Sequence, residues 1–273
     1  MGKFEGVLLA VDFDNTLRPE GMTRVPDGNL RAAEYFMSQG GRFTVATGRD
    51  MRSFRFIKPL LTVNAPVVLS NGAAEFDSLR DEVLFEARLP EGYRGDIAEI
   101  MDMFPYAGVE IHRGCDIYVP ACNDGVREHL SRIGEEPVKA KLEQLPESVT
   151  KFAVFTDSIG TEDSRSQAIH RYIASVWGEK YEPVISGGIV DVAARGVTKG
   201  EGVKYLLKAL NISREHLYCA GDGWNDLPMM EIARMSFAPA DANPAVFASG
   251  ARRVCTAREG AVAEIIDILD GIY

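Results

Sequence analysis

Cysteine is scarce in this chain and carries no pattern: Cys115, Cys122, Cys219 and Cys255 form no CxxC pair. No disulfide framework is expected, and four small apolar side chains in a reduced, cytoplasmic protein are. Long apolar runs are missing as well. No stretch approaches the roughly 18 residues that span a bilayer, and the opening run VLLAV is shorter than a signal-peptide core of about 7–15 residues. MGKFEG lacks the Ser or Thr of a myristoylation signal, so no membrane association is expected. Excess positive charge is absent too, with 30 Lys and Arg against 40 Asp and Glu, and a net charge of −10 disfavours nonspecific binding to nucleic acid. Internal repeats and low-complexity tracts are not found.

What remains is an ordinary globular composition, 46% hydrophobic and 26% charged, in 273 residues, long enough for one large domain or two smaller ones. Strand and helix signals alternate along it, which points to an α/β fold around parallel strands. Residues 6–12 read as a near-continuous apolar strand, 27–39 as a helix ending at Gly40-Gly41, and 42–46 as a second strand. APVVLSNGA (65–73) leads into a hairpin with its turn near Ser78 to Asp81. The texture changes from about Leu89, with helices at 94–104, 124–133 and 163–177 and strands within 108–120 and at 151–156. After a Gly-rich join at 187–188 comes a strand and then a helix whose Val203, Leu206, Leu207 and Leu210 recur at i, i+3, i+4 and i+7.

Four segments place polar or charged groups just after an apolar strand, the edge at which open parallel sheets bind ligands. They are DFDNT (12–16), ATGR (46–49), VTKG (197–200) and GDGWND (221–226). DFDN resembles the start of a calcium loop, but Thr16 and Leu17 stand where that loop needs Asp or Asn and then Gly. A turn or capping role explains one aspartate more readily than two. If Asp12, Asp14, Asp222 and Asp226 converge, their repulsion calls for a cation, and hard oxygen ligands suit Mg²⁺. Lys199 stands where a loop meets a helix. With the Thr47 hydroxyl and the amides of Gly48 and Arg49, which are expected to open another helix, it offers what a phosphate dianion needs. An anion site beside a metal site specifies phosphoryl chemistry, in which a carboxylate nucleophile approaches phosphate only when cations screen the encounter.

These four motifs, in this order and separation, resemble motifs I to IV of the haloacid dehalogenase-like (HAD) superfamily. The long insertion and SNGA at 70–73 resemble its Cof-type sugar-phosphatase branch with a large cap. The resemblance implies a Rossmann-like parallel-sheet core, residues 1–87 and 188–273, and an inserted α+β cap at 88–187 that closes to exclude water. It implies Asp12 as the nucleophile, and Asp14 as the acid and then base, with its backbone carbonyl on Mg²⁺. Thr47 and Lys199 would hold the transferring phosphoryl group, Asp222 would ligate the metal, and Asn225 and Asp226 would complete the surroundings. Arg49 and Asn71 resemble family positions at the mouth of the site, although capping or salt-bridge roles serve them equally. The family's first motif usually has Gly where this chain has Asn15; if the position needs positive φ, Asn is the next most tolerant residue. His112, in HRGCDIY, is expected to be a strand residue without catalytic duty. The implied activity is Mg²⁺-dependent hydrolysis of a small phosphorylated metabolite, a sugar phosphate. A phosphomutase of the same architecture, or a phosphometabolite-binding regulator without turnover, are the alternatives.

Overall fold

A computed structural model describes residues 2–134, 136–157, 159–160 and 163–273. In chain order the first elements are β1 (Leu8–Val11), α1 (Asp27–Ser38), β2 (Arg42–Val45), α2 (Met51–Ile57), β3 (Val67–Leu69), β4 (Ala74–Asp77) and β5 (Glu82–Glu86). There follow α3 (Tyr93–Met103), β6 (Gly108–Arg113), β7 (Asp116–Ala121), α4 (Asp124–Ile133), β8 (Val138–Lys139), β9 (Lys151–Phe155), α5 (Ser164–Trp177), β10 (Tyr181–Ser186) and β11 (Ile189–Ala194). The chain ends with α6 (Lys199–Leu210), β12 (Leu217–Ala220), α7 (Leu227–Ile232), β13 (Met235–Pro239), α8 (Pro244–Ala248), β14 (Arg252–Val254) and α9 (Ala261–Ile272). They divide between two compact units, one made of the residues up to Arg49, Phe54–Phe85 and Thr198–Tyr273, the other of Asp50–Ser53 and Glu86–Val197.

The first unit is built on a parallel sheet of order β14-β13-β12-β1-β2, with Leu8 opposite both Leu217 and Arg42. All four residues of β1 are fully buried, as an unbroken LLAV run between two covered faces requires. Leu8 and Ala10 pack with Val203, Leu206 and Leu207 of α6 and with Met229 and Met230 of α7. Each of the leucine, valine and methionine side chains among these contributes roughly 1.5–3 kcal/mol through burial, and Ala10 less. Elsewhere, Asn29 Oδ1 of α1 accepts the Ala263 N–H of α9 at 3.1 Å. A three-stranded sheet, β3-β4-β5, carries the expected hairpin.

The second unit holds a six-stranded sheet of order β10-β11-β9-β6-β7-β8, antiparallel except for the β7–β8 pair. Strand alternation sends Val109, Ile111, Phe152, Val154, Val190 and Val192 to one face, where Ile97 and Ile100 of α3 and Ile169 and Ile173 of α5 meet them. On the other face Ala153 and Phe155 pack with Val126 and Leu130 of α4. The join expected at 188 lies inside a hairpin of this unit. Gly187 and Gly188 adopt φ of +57° and +80°, and β11 turns back on β10 from Ser186↔Ile189 to Tyr181↔Ala194. The unit therefore runs on to Val197.

Candidate active site

The end of β1 delivers Asp12, whose N–H is bound by Ala220 O at 2.8 Å, so the chain is still pinned to β12 as the first aspartate emerges. The turn that follows closes through Leu17 N–H to Asp12 O at 3.2 Å and Asn15 N–H to Arg18 O at 2.7 Å. Asn15 takes φ of +62°, so the residue replacing the customary glycine occupies the left-handed region that asparagine tolerates.

Lys199, the first residue of α6, is fully buried and donates from Nζ to Asp12 Oδ1 and to Asp226 Oδ1, both at 2.6 Å. Thr198 caps that helix, its side chain accepting the Glu201 N–H at 3.2 Å. Asp226 Oδ2 in turn accepts the N–H groups of Asp222 and Gly223 at 2.9 Å each, and Asp222 Oδ1 accepts the Thr16 hydroxyl at 3.2 Å. Asp12, Asp222 and Asp226 thus offer carboxylate oxygens within 4.8 Å of one another. Burial, helped by the neighbouring aspartates and only partly offset by Lys199, lifts the Asp12 carboxyl well above its ordinary range. Burial and then Asp226 push Asp222 up to about 7. One ammonium does not balance three clustered carboxylates, two of them buried and Asp222 partly so, and this donor set of hard oxygens fits a divalent cation such as Mg²⁺.

The Asp14 carboxylate is engaged differently. Its Oδ2 accepts Arg49 Nε at 2.8 Å, its Oδ1 accepts an Arg49 terminal nitrogen at 2.9 Å, and Arg18 closes on the same Oδ1. Burial raises its pKa, but the guanidinium hydrogen bonds and charges outweigh that and hold it below the usual carboxylate range. Both guanidinium carbons sit over the Phe13 ring, 5.2 and 5.3 Å from its centroid. Neither Arg18 nor Thr16 stands out in the sequence as a site residue; the i,i+4 spacing of Asp14 and Arg18 was the available signal for the first.

Thr47 is buried just beyond β2, its N–H bound by Val68 O at 2.9 Å. Its hydroxyl accepts the Arg49 N–H at 3.2 Å, and α2 begins only at Met51, so Gly48 and Arg49 precede that helix rather than open it. Asp50 takes the capping position, its Oδ1 accepting the Ser53 N–H at 2.8 Å. Asn71 lies in a left-handed stretch, with φ of +49°, +55° and +99° at Ser70, Asn71 and Gly72. Its Oδ1 accepts Asn225 Nδ2 at 3.0 Å, while its own buried Nδ2 has no partner. Gly72 is required by close approach, since a Cβ there would sit only 2.1 Å from Thr198 O, whereas one on Gly48 would meet Asn71 Oδ1 at 3.3 Å, a tight contact that the amide can relieve by a small shift. DFDNT, ATGR and GDGWND follow β1, β2 and β12 at the carboxyl ends of the first unit's strands, and VTKG, which follows no strand of that sheet, brings Lys199 to Asp12 and Asp226 from the start of α6.

The profile of the haloacid dehalogenase-like hydrolases matches residues 9–266, and the chain belongs to that family of enzymes. Over 95% of its length it is 23% identical to the Escherichia coli 5-amino-6-(5-phospho-D-ribitylamino)uracil phosphatase YbjI, covering 94% of that protein. It is 22% identical to the Bacillus subtilis phosphatase YitU of the same name, with 95% and 96% covered. Among solved structures, the HAD subclass IIB sugar phosphatase BT4131 superposes with a TM-score of 0.83 at 20% identity, over 98% of this chain and 100% of that one. A haloacid dehalogenase-like hydrolase from Bacteroides thetaiotaomicron gives 0.80 at 19% identity, over 96% and 99%. The parallel-sheet core with additional layers is the fold these enzymes share. No described helix is long and apolar enough to cross a membrane.

Proposed function

We propose that the protein is a Mg²⁺-dependent phosphatase that hydrolyses small phosphorylated metabolites, sugar phosphates among them, through an aspartyl-phosphate on Asp12, with Glu86–Val197 as the inserted cap. The observation that carries this reading is the Lys199 bridge, a fully buried ammonium holding Asp12 and Asp226 at 2.6 Å beside a third carboxylate. The names of YbjI, YitU and BT4131, all phosphatases of phosphorylated small molecules or sugars, point the same way.

Asp12, Asp222 and Asp226 would hold the metal, with the Asp14 backbone carbonyl. When bound, Mg²⁺ would screen the negative charges of nucleophile and phosphate from each other. Lys199 orients Asp12, whose carboxylate oxygen bonds to phosphorus as the bond to the leaving oxygen breaks. Asp14 gives that oxygen its proton, then takes one from the water that releases phosphate and restores Asp12. Held by Arg49 and Arg18, the Asp14 carboxylate is best placed as the base of the second half-reaction, and its action as an acid in the first requires that those contacts loosen. Thr47, the backbone at Gly48, Arg49, the orphan Nδ2 of Asn71, and Asn225 supply donors to the bound ester.

The test is phosphate release across a panel of phosphate esters with and without Mg²⁺, using the natural chain and Asp12→Asn. Metal-dependent release that disappears in D12N, with an unchanged circular dichroism spectrum, is expected. Substantial turnover by D12N would falsify the nucleophile assignment, and isomer formation without free phosphate would mark a mutase.

A further inference from the structure

The second unit buries charge on one face of its sheet. Glu110 and His112 of β6 and Lys151 of β9 are each 5% exposed or less, and His112 faces Lys151 directly across the strands. His112 Nδ1 lies 2.9 Å from Asp50 Oδ2, and its Nε2 is 3.4 Å from Glu110 Oε2, a charge contact rather than a well-formed hydrogen bond. Glu110 also meets His129 Nδ1 of α4 at 3.0 Å, and Lys151 is drawn to Asp191 of β11 at 2.6 Å. The chemistry proposed above uses none of these groups. Apolar residues of similar volume often pack such a face as stably as buried ions do, so stability alone is a weak account of this cluster.

Asp50 supplies that role. One of its oxygens caps α2 through the Ser53 N–H, the other is gripped by His112, and the peptide bond on its amino side belongs to Arg49. Arg49 is the residue whose guanidinium takes both oxygens of Asp14. We propose that His112 is a positioning residue of the active site, acting through Asp50 to fix the backbone at Arg49 so that its guanidinium meets Asp14. This role presupposes Asp14 as the proton-transfer group of the phosphatase reading.

The groups facing His112 are Asp50 from the segment before α2, Glu110 from its own strand and Lys151 from β9, with His129 of α4 and Asp191 of β11 next outward. Burial alone would favour the neutral ring, but Asp50 and Glu110 outweigh it and raise His112 to about 8. The charged ring can donate towards both carboxylates, whereas the neutral ring donates once and turns a lone pair on the other. With the folded-state value raised above about 6.5, the grip is complete below that pH, persists at neutrality and is lost as pH rises through 8.

The variants are His112→Gln, which keeps a donor but no titratable charge, and Asp50→Asn, which keeps a helix cap and so protects the fold. Two measurements are needed: kcat and KM for p-nitrophenyl phosphate with Mg²⁺ from pH 6 to 9.5, and amide hydrogen exchange of residues 49–57 corrected for intrinsic rates. In the natural chain kcat should fall with a midpoint near pH 8, as the exchange of 49–57 rises. Each variant should show that faster exchange already at pH 7, with kcat about tenfold lower, flat across the window, and KM changed less. Natural kcat and an intact pH 8 midpoint in H112Q, or unchanged exchange in both variants, would overturn the assignment. Should no form release phosphate, the phosphatase reading fails on its own, and the exchange measurement still decides whether His112 fixes the segment.

Discussion

Replacing Lys199 by methionine removes one charge and little volume, and the consequences can be worked out from its contacts. The ammonium is fully buried and makes two ion pairs of 2.6 Å, to Asp12 and to Asp226. Breaking a buried pair by deleting one partner costs about 3–5 kcal/mol, because the remaining charge is left desolvated. Here two carboxylates lose the same partner beside Asp222, so the upper end applies unless protonation relieves them. Lys199 is also what pulls the Asp12 carboxyl down against its burial, so its loss drives Asp12 towards the neutral form. A neutral carboxyl is no nucleophile, and loss of the orienting cation should lower kcat by about 10²–10³-fold. In thermal unfolding without metal at pH 8, K199M should melt roughly 10–20 °C below the natural chain, from about 5 kcal/mol at about 2–4 °C per kcal/mol for a domain of 150–250 residues. The deficit should shrink at pH 5, where protons neutralise the orphaned carboxylates. A melting temperature within 2 °C of the natural chain at pH 8, or a deficit that grows towards pH 5, would refute the claim that this lysine balances the cluster.

Two further outcomes follow from the same site. Asp222 titrates near 7 when folded against about 3.9 unfolded, so its contribution to metal-free stability is complete below the unfolded value and is lost as pH rises through 7. Mg²⁺ should therefore raise the melting temperature more at pH 8 than at pH 5, by up to about 2.7 kcal/mol of stabilisation at a hundredfold excess over Kd. Equal shifts at both pH values would contradict a binding site made of these ionised carboxylates. At Asn15, φ of +62° should make Asn15→Gly nearly neutral in urea unfolding and Asn15→Ala destabilising by about 1–2 kcal/mol; the reverse order would show that the turn relaxes.

The chemistry was legible because it is written as types at strand ends. An apolar run stopping at two aspartates, and a lysine opening an amphipathic helix, are local patterns, and the Asp12–Lys199 contact across 187 residues joins two of them. The alternation of β11 was equally plain, but its sheet was not. Val190 and Val192 alternate as any half-buried strand does, and only the Gly187-Gly188 hairpin assigns them to the second unit. Arg18 escaped notice because an arginine after a turn reads as surface until Asp14 is seen to face it. The Asp50–His112 contact joins residues 62 apart, and neither neighbourhood hints at the other. Pairing of this kind depends on tertiary approach alone, so no periodicity announces it.

The position of β1 has a consequence for how the polypeptide is made. It is the first strand of the chain, yet it lies inside the sheet between β2 and β12, and β12 begins only at Leu217. A ribosome delivers β1 first, yet some two hundred residues must emerge before its second edge can be covered. The stretch Glu86–Val197, by contrast, leaves the exit tunnel as one continuous piece carrying its own sheet and apolar cluster. Nascent molecules should thus acquire order from the middle outward, in contrast to the usual amino-terminal-first sequence, with the first-made strand among the last to be sealed.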